Sequence, residues 1–164
     1  MKGTILVDIE KCVACKRCEL NCAVEHSMSK DLEKAIAEFV PPKARIFVNQ
    51  HNAIPTPLLC YHCEKPNCAL VCPANAIKKL ESGEVILDES ICVGCGACKI
   101  ACPLGIPELR GDGRVMVTCD TCMPRVEKGL KPACVTACNT GALTYEFGGD
   151  KKVKVKAVSY NKTA

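Results

Sequence analysis

Cysteine is the residue type that could do chemistry in this chain, and its spacing says which chemistry. The 164 residues include 16 cysteines. They form four quartets: Cys12, Cys15, Cys18 and Cys22; Cys60, Cys63, Cys68 and Cys72; Cys92, Cys95, Cys98 and Cys102; Cys119, Cys122, Cys134 and Cys138. Thiolates are soft ligands that select zinc or iron–sulfur centres. A structural zinc site uses two cysteines per knuckle, whereas three of these quartets supply a third cysteine after a gap of two or four residues. Two intervening residues let the chain wrap one cuboid cluster while three thiolates reach three irons. The pattern points to 4Fe-4S clusters rather than zinc.

The stretch from Cys60 to Pro103 organises the rest. Its second half, C-V-G-C-G-A-C-K-I-A-C-P, is the bacterial ferredoxin run C-x2-C-x2-C-x3-C-P, in which the fourth cysteine ligates the other cluster of a pair. By that rule Cys60, Cys63 and Cys68 share a cluster with Cys102, and Cys92, Cys95 and Cys98 share one with Cys72. If the central quartets pair, the outer two pair as well: Cys12, Cys15 and Cys18 with Cys138, and Cys119, Cys122 and Cys134 with Cys22. One two-cluster module, residues 60–103, is then nested inside another built from 1–59 and 104–164. The expected cofactors are four 4Fe-4S clusters. Ala23 and Asn139 stand where the proline of the simple run would follow the outer quartets.

Composition agrees with a small domain that clusters help to hold together. Aromatic residues are 4% of the chain and Trp is absent, so cluster binding would supply part of the folding free energy. The formal charge of +4 counts cysteine as neutral. Four clusters with their thiolates would contribute about −8 and leave roughly −4, which removes the electrostatic basis for nucleic-acid binding. The apolar run Ile5 to Val7 is too short for a signal-peptide core, and no stretch approaches a membrane span. A reducing cytoplasm is the expected location, where CxxC pairs bind metal more often than they form disulfides.

The elements that must position the thiols are short. Residues 3–7 read as a strand, and D-I-E-K-C-V-A-C-K-R-C at the first quartet repeats in D-E-S-I-C-V-G-C-G-A-C at the third. A helix is expected with Ser29 as N-cap and Leu32, Ala35, Ile36 and Phe39 packed on the cluster module, ended by Pro41 and Pro42. Arg45 to Val48 suggests a strand and residues 49–57 a loop. A hairpin with Ser82-Gly83 at its turn separates the central quartets. Residues 104–114 are turn-rich, 115–118 and 142–146 read as strands, and 123–133 has helical potential before Pro132. The lysine-alternating segment 151–158 reads as a guarded edge strand.

No other constellation competes. His26, His51 and His62 share no metal-ligand spacing, and His62 inside its quartet reads as an ordinary loop histidine. Gly94, Gly96 and Ala97 let backbone amides approach cluster sulfurs. Dinucleotide, Walker and Ser/His/Asp motifs are missing from the sequence, so no substrate site of its own is expected.

The order of quartets, with four residues between Cys63 and Cys68 and eleven between Cys122 and Cys134, resembles the electron-transfer subunits of molybdenum and tungsten oxidoreductases, formate hydrogenlyases and CO dehydrogenase systems. Within that group N-C-A-V-E-H-S-M-S-K-D-L-E-K-A-I, P-K-A-R-I-F-V and C-D-T-C-M-P-R-V-E-K-G-L-K-P-A-C resemble CooF-type proteins. The likeness covers nearly the whole chain. It implies an α+β fold of two interlocked bacterial ferredoxin-like modules. It also implies a role passing electrons from CO dehydrogenase to a hydrogenase or another acceptor. A tungsten or molybdenum aldehyde or formate oxidoreductase, or a nicotinamide-reducing flavoprotein, are the other partners it allows. Lys30 to Phe39 and the lysine-edged tail are the expected docking flanks.

Overall fold

A computed structural model describes residues 3–51 and 54–148, together with the backbone of 155–156. Strand β1 (Gly3–Asp8) lies between β8 (Leu143–Phe147) and β9 (Val155–Lys156) in one sheet. β1 runs antiparallel to β8, and Ile5 and Val7 face Tyr145 and Leu143 across that pair. All four are buried, so their alternation supplies the inner face of the sheet. β9 pairs parallel to β1, with Lys156 in register with Asp8, so the expected edge strand holds for these two residues. The remainder of 149–164 lies outside the described residues.

After β1 the chain enters the first quartet and forms α1 (Arg17–Glu25), which carries Cys18 and Cys22 inward. Sequence reading did not foresee this helix, because the cysteine run masked its periodicity. The next helix is shorter than expected. α2 (Leu32–Ile36) is capped by Asp31, whose side chain accepts from the Lys34 amide at 3.1 Å. Ser29 instead pairs with Glu38. Only Ala35 of the expected stripe is buried, whereas Ile36 is 81% exposed and Phe39 fully so. The stripe therefore does not pack on the module.

β2 (Ile46–His51) and β3 (Ile54–Leu59) form an antiparallel ribbon. β3 occupies much of what reads as a loop, because Pro55 and Pro57 argue against a strand in sequence. A two-stranded ribbon leaves each strand a free edge where a missing N–H does no harm. Ile46 and Leu59, each 1% exposed, pair across it, and burying side chains of this size stabilises by about 1.5–3 kcal/mol each.

α3 (Asn67–Leu70) follows in the second quartet. The hairpin of β4 (Ile77–Lys79) and β5 (Val85–Leu87) stands where the sequence placed it. α4 (Ala97–Ala101) carries Cys98. β6 (Glu108–Leu109), within the turn-rich stretch, pairs with β7 (Met116–Val117). The fourth quartet spans α5 (Met123–Val126) and α6 (Ala133–Thr136). α1 packs on α6 and α3 on α4. Two apolar clusters follow this pairing. The larger joins Ile5, Val7, Ile46, Val48, Leu59, Leu143 and Tyr145 with Cys18, Cys22 and Cys134. The smaller joins Ile77, Val85, Cys98 and Met116.

Candidate metal centres

The four quartets share one backbone device. The residue two places after the first cysteine has positive φ in every quartet: Ala14 (54°), His62 (46°), Gly94 (66°) and Thr121 (58°). This left-handed residue turns the chain back so that successive thiols converge. Only the third quartet spends glycine there, and a Cβ on Gly94 would collide with the Arg114 carbonyl oxygen. The other three place a larger residue in the same conformation, at a cost of roughly 1–2 kcal/mol each. The first and third quartets also share a second left-handed position, Lys16 (57°) and Gly96 (75°).

Thiols from distant segments meet in two cavities. Cys12, Cys15 and Cys18 line one together with Cys138, beside Lys16, Arg17, Val48 and Leu143. Cys60, Cys63 and Cys68 line another together with Cys102, beside Val85, Ile106 and Thr118. The remaining thiols group as neighbours. Burial pushes Cys119 well up, and Cys60, Asp120, Cys22 and Cys134 around it push the same way. Cys134 is likewise raised by burial and by Cys22, Cys122 and Cys18. Cys98 sits among Cys68, Cys92 and Cys95, and burial carries it up to about 11. Cys72 accepts the Ala76 amide at 3.3 Å.

Burial holds Cys98, Cys119 and Cys134 toward the neutral thiol, so a positive counter-charge favours their thiolates. An all-thiol donor set with no carboxylate among the cysteines lining each cavity suits a soft metal centre. Backbone amides aim at the sulfurs: Arg45 N at Cys22 (3.2 Å), His62 N at Cys60 (3.4 Å), Met116 N at Cys92 (3.3 Å) and Leu143 N at Cys138 (3.3 Å). Such bonds are the usual means of stabilising and tuning an iron–sulfur centre. The residues therefore fit 4Fe-4S clusters, and an oxidised cluster would supply the missing positive charge.

Two histidines do more than their sequence context suggests. His62 accepts the Val85 amide at Nδ1 (2.9 Å), so its Nε2 carries the proton and donates to Thr121 Oγ1 (2.7 Å). It thereby joins the second quartet, the β4–β5 hairpin and the fourth quartet. His26 lies 2.8 Å from the Cys22 carbonyl oxygen and 3.2 Å from Asp120 Oδ1. Burial would lower its pKa, but the hydrogen bonds to Asp120 and Cys22 carry it up to about 9. His26, Asp120 and Cys122 bring donor atoms within 4.8 Å of one another, a grouping that sequence spacing hides because His26 and Asp120 stand 94 positions apart. Asp120 also receives Arg45 at 3.1 Å and the Cys122 amide at 2.9 Å. Among the described residues no helix is long and apolar enough to cross a membrane.

Comparison with known proteins agrees with this chemistry. The family described as "4Fe-4S dicluster domain" matches residues 51–148, which contain the second, third and fourth quartets. One component of the anaerobic dimethyl sulfoxide reductase of Escherichia coli is 35% identical, over 92% of this chain and 75% of its own length. One component of the tetrathionate reductase of Salmonella typhimurium is 32% identical, over 84% and 55%. The iron-sulfur subunit of the nitrate-inducible formate dehydrogenase of Escherichia coli is 30% identical, over 94% and 60%. The chain belongs to the 4Fe-4S dicluster domain family and is homologous to iron–sulfur subunits of anaerobic oxidoreductases.

Proposed function

We propose that this protein is the electron-transfer subunit of a molybdenum or tungsten oxidoreductase and has no substrate site of its own. The supporting observation is the meeting of three thiols from one quartet with the last thiol of another: Cys138 with Cys12, Cys15 and Cys18, and Cys102 with Cys60, Cys63 and Cys68. The relatives favour this partner class over CO dehydrogenase, because they are components of dimethyl sulfoxide, tetrathionate and formate enzymes.

Bound 4Fe-4S clusters would supply one-electron carriers. The protein's part is to hold them close together and keep water away. We assign four sets: Cys12, Cys15, Cys18 and Cys138; Cys22, Cys119, Cys122 and Cys134; Cys60, Cys63, Cys68 and Cys102; Cys72, Cys92, Cys95 and Cys98. Neighbouring thiols link the sets in that order. Cys18 and Cys134 join the first two, Cys119 and Cys60 the next two, and Cys68 and Cys98 the last two. Cys15 and Cys95, in the terminal sets, are exposed, as docking to a donor and an acceptor requires, and Cys63 of the third set is exposed as well. The second set is the most buried. Within each module the two quartets would be interlocked through their crossing cysteines, Cys22 and Cys138 in the outer and Cys72 and Cys102 in the inner, and the reducing conditions that keep such thiols free suit the cytoplasm.

Anaerobic purification followed by iron and sulfide analysis tests this reading. About sixteen irons and a similar amount of acid-labile sulfide are expected per chain, with brown colour that bleaches on dithionite. Co-expression with an S-oxide or formate oxidoreductase catalytic subunit should give a complex whose substrate oxidation or reduction runs through the bleached state. A colourless, zinc-loaded protein would end the proposal.

A further inference from the structure

We infer that Arg45 is a positioning residue for the buried set Cys22, Cys119, Cys122 and Cys134, and that its fixed charge raises the reduction potential of that set's cluster. The inference rests on the cluster assignment above.

Arg45 touches this set twice. Its amide donates to Cys22 Sγ at 3.2 Å. Its guanidinium, 14% exposed, donates to Asp120 Oδ2 at 3.1 Å, and Asp120 in turn accepts the Cys122 amide through its other oxygen. One residue thus fixes a ligand from the first quartet and the loop that carries two ligands of the fourth. A third contact leads outward: Arg45 reaches Glu89 at 3.4 Å, and Glu89 also pairs with Arg110 at 2.9 Å. Glu89 stands three residues before Cys92, so the same guanidinium ties the buried outer set to the approach of the third quartet.

Arginine suits this place. Its planar fork can hold two carboxylates, and it stays protonated at any working pH. In a buried site a fixed charge is weakly screened, so a positive group favours the reduced, more negative cluster. Asp120 and Glu89 offset part of that field. Removing Arg45 leaves both anions in place and makes the surroundings more negative by one charge. Removing Glu89 makes them more positive by one.

The test is a redox titration of the fully loaded protein followed by electron paramagnetic resonance. Iron and sulfide are counted in the same samples, so that failure to load is separated from failure of the inference. In Arg45→Met one midpoint should move to more negative potential while the others stay within error. In Arg45→Lys, which keeps the charge but loses the fork, that midpoint should recover in large part while thermal stability does not. In Glu89→Gln the same midpoint should move the opposite way. Loaded Arg45→Met protein that melts earlier with every midpoint unchanged would overturn the inference. So would equal negative shifts in the Met and Lys variants. If Arg45→Met does not load, Glu89→Gln and Arg45→Lys decide by the sign of their shifts.

Discussion

The imidazole of His62 lies 2.7 Å from the hydroxyl of Thr121, 59 positions away, and the two are the left-handed residues that follow the first cysteine of the second and fourth quartets by two places. The turn residue of one cluster loop is thus hydrogen-bonded to the turn residue of another, and the inner and outer parts of the chain are held together at the point where their thiols, Cys60 and Cys119, are neighbours.

Replacing His62 by alanine should therefore do more than remove a loop side chain. It leaves the Val85 amide without its acceptor, and an unsatisfied buried donor costs about 1–3 kcal/mol. Thr121→Val takes the acceptor from the His62 Nε2–H, but His62 is only half-buried, so water can replace the bond in part and the cost should be about 1 kcal/mol. Anaerobic melting followed through the cluster absorbance should rank wild type above Thr121→Val above His62→Ala; the reverse order of the two variants would reject the donor assignment.

Cys102→Ala should strip iron from the set held by Cys60, Cys63 and Cys68 first, because those thiols share their cavity with Cys102. About four irons should be lost or one cluster converted to a three-iron form. Spectroscopy that finds the Cys92, Cys95 and Cys98 cluster damaged and the other intact would show that the ligands do not cross.

Gly94→Ala and Gly96→Ala should differ sharply although both glycines have positive φ. At Gly96 a Cβ meets nothing within 4 Å, so the cost is the left-handed strain alone, about 1–2 kcal/mol. At Gly94 the added carbon strikes the Arg114 backbone, two residues before Met116, whose amide serves Cys92. Iron content should fall in Gly94→Ala and stay full in Gly96→Ala.

Lys16→Gly should stabilise the protein in spite of removing a side chain. Lys16 holds φ 57° where the repeat at the third quartet has glycine. Relieving the strain should be worth about 1 kcal/mol, partly offset by the greater freedom of the unfolded chain. The check is an anaerobic denaturation midpoint that rises or holds; a fall of more than about 1 kcal/mol, read with typical slopes, would show that the Lys16 side chain contributes contacts of its own.

The kind of chemistry is legible in the amino-acid sequence. Cysteine identity and spacing are local facts, and a cubane needs several thiolates within a few residues, so C-x2-C-x2-C can be read directly. The β4–β5 hairpin was equally legible, since its turn and alternation are carried by neighbouring residues. The resemblance read from the chain pointed to CO dehydrogenase, whereas the relatives point to S-oxide, tetrathionate and formate enzymes; partner choice resides in surfaces that a shared cysteine pattern does not encode. α1, β3 and the exposure of Ile36 and Phe39 were misread because cysteines and prolines obscure periodicity, and because an apolar stripe does not say whether anything covers it. The network of Arg45, Asp120, His26 and Glu89 and the bond from His62 to Thr121 could not be read at all. They join residues 44 to 94 positions apart, and only the tertiary fold brings such distant groups within hydrogen-bonding distance.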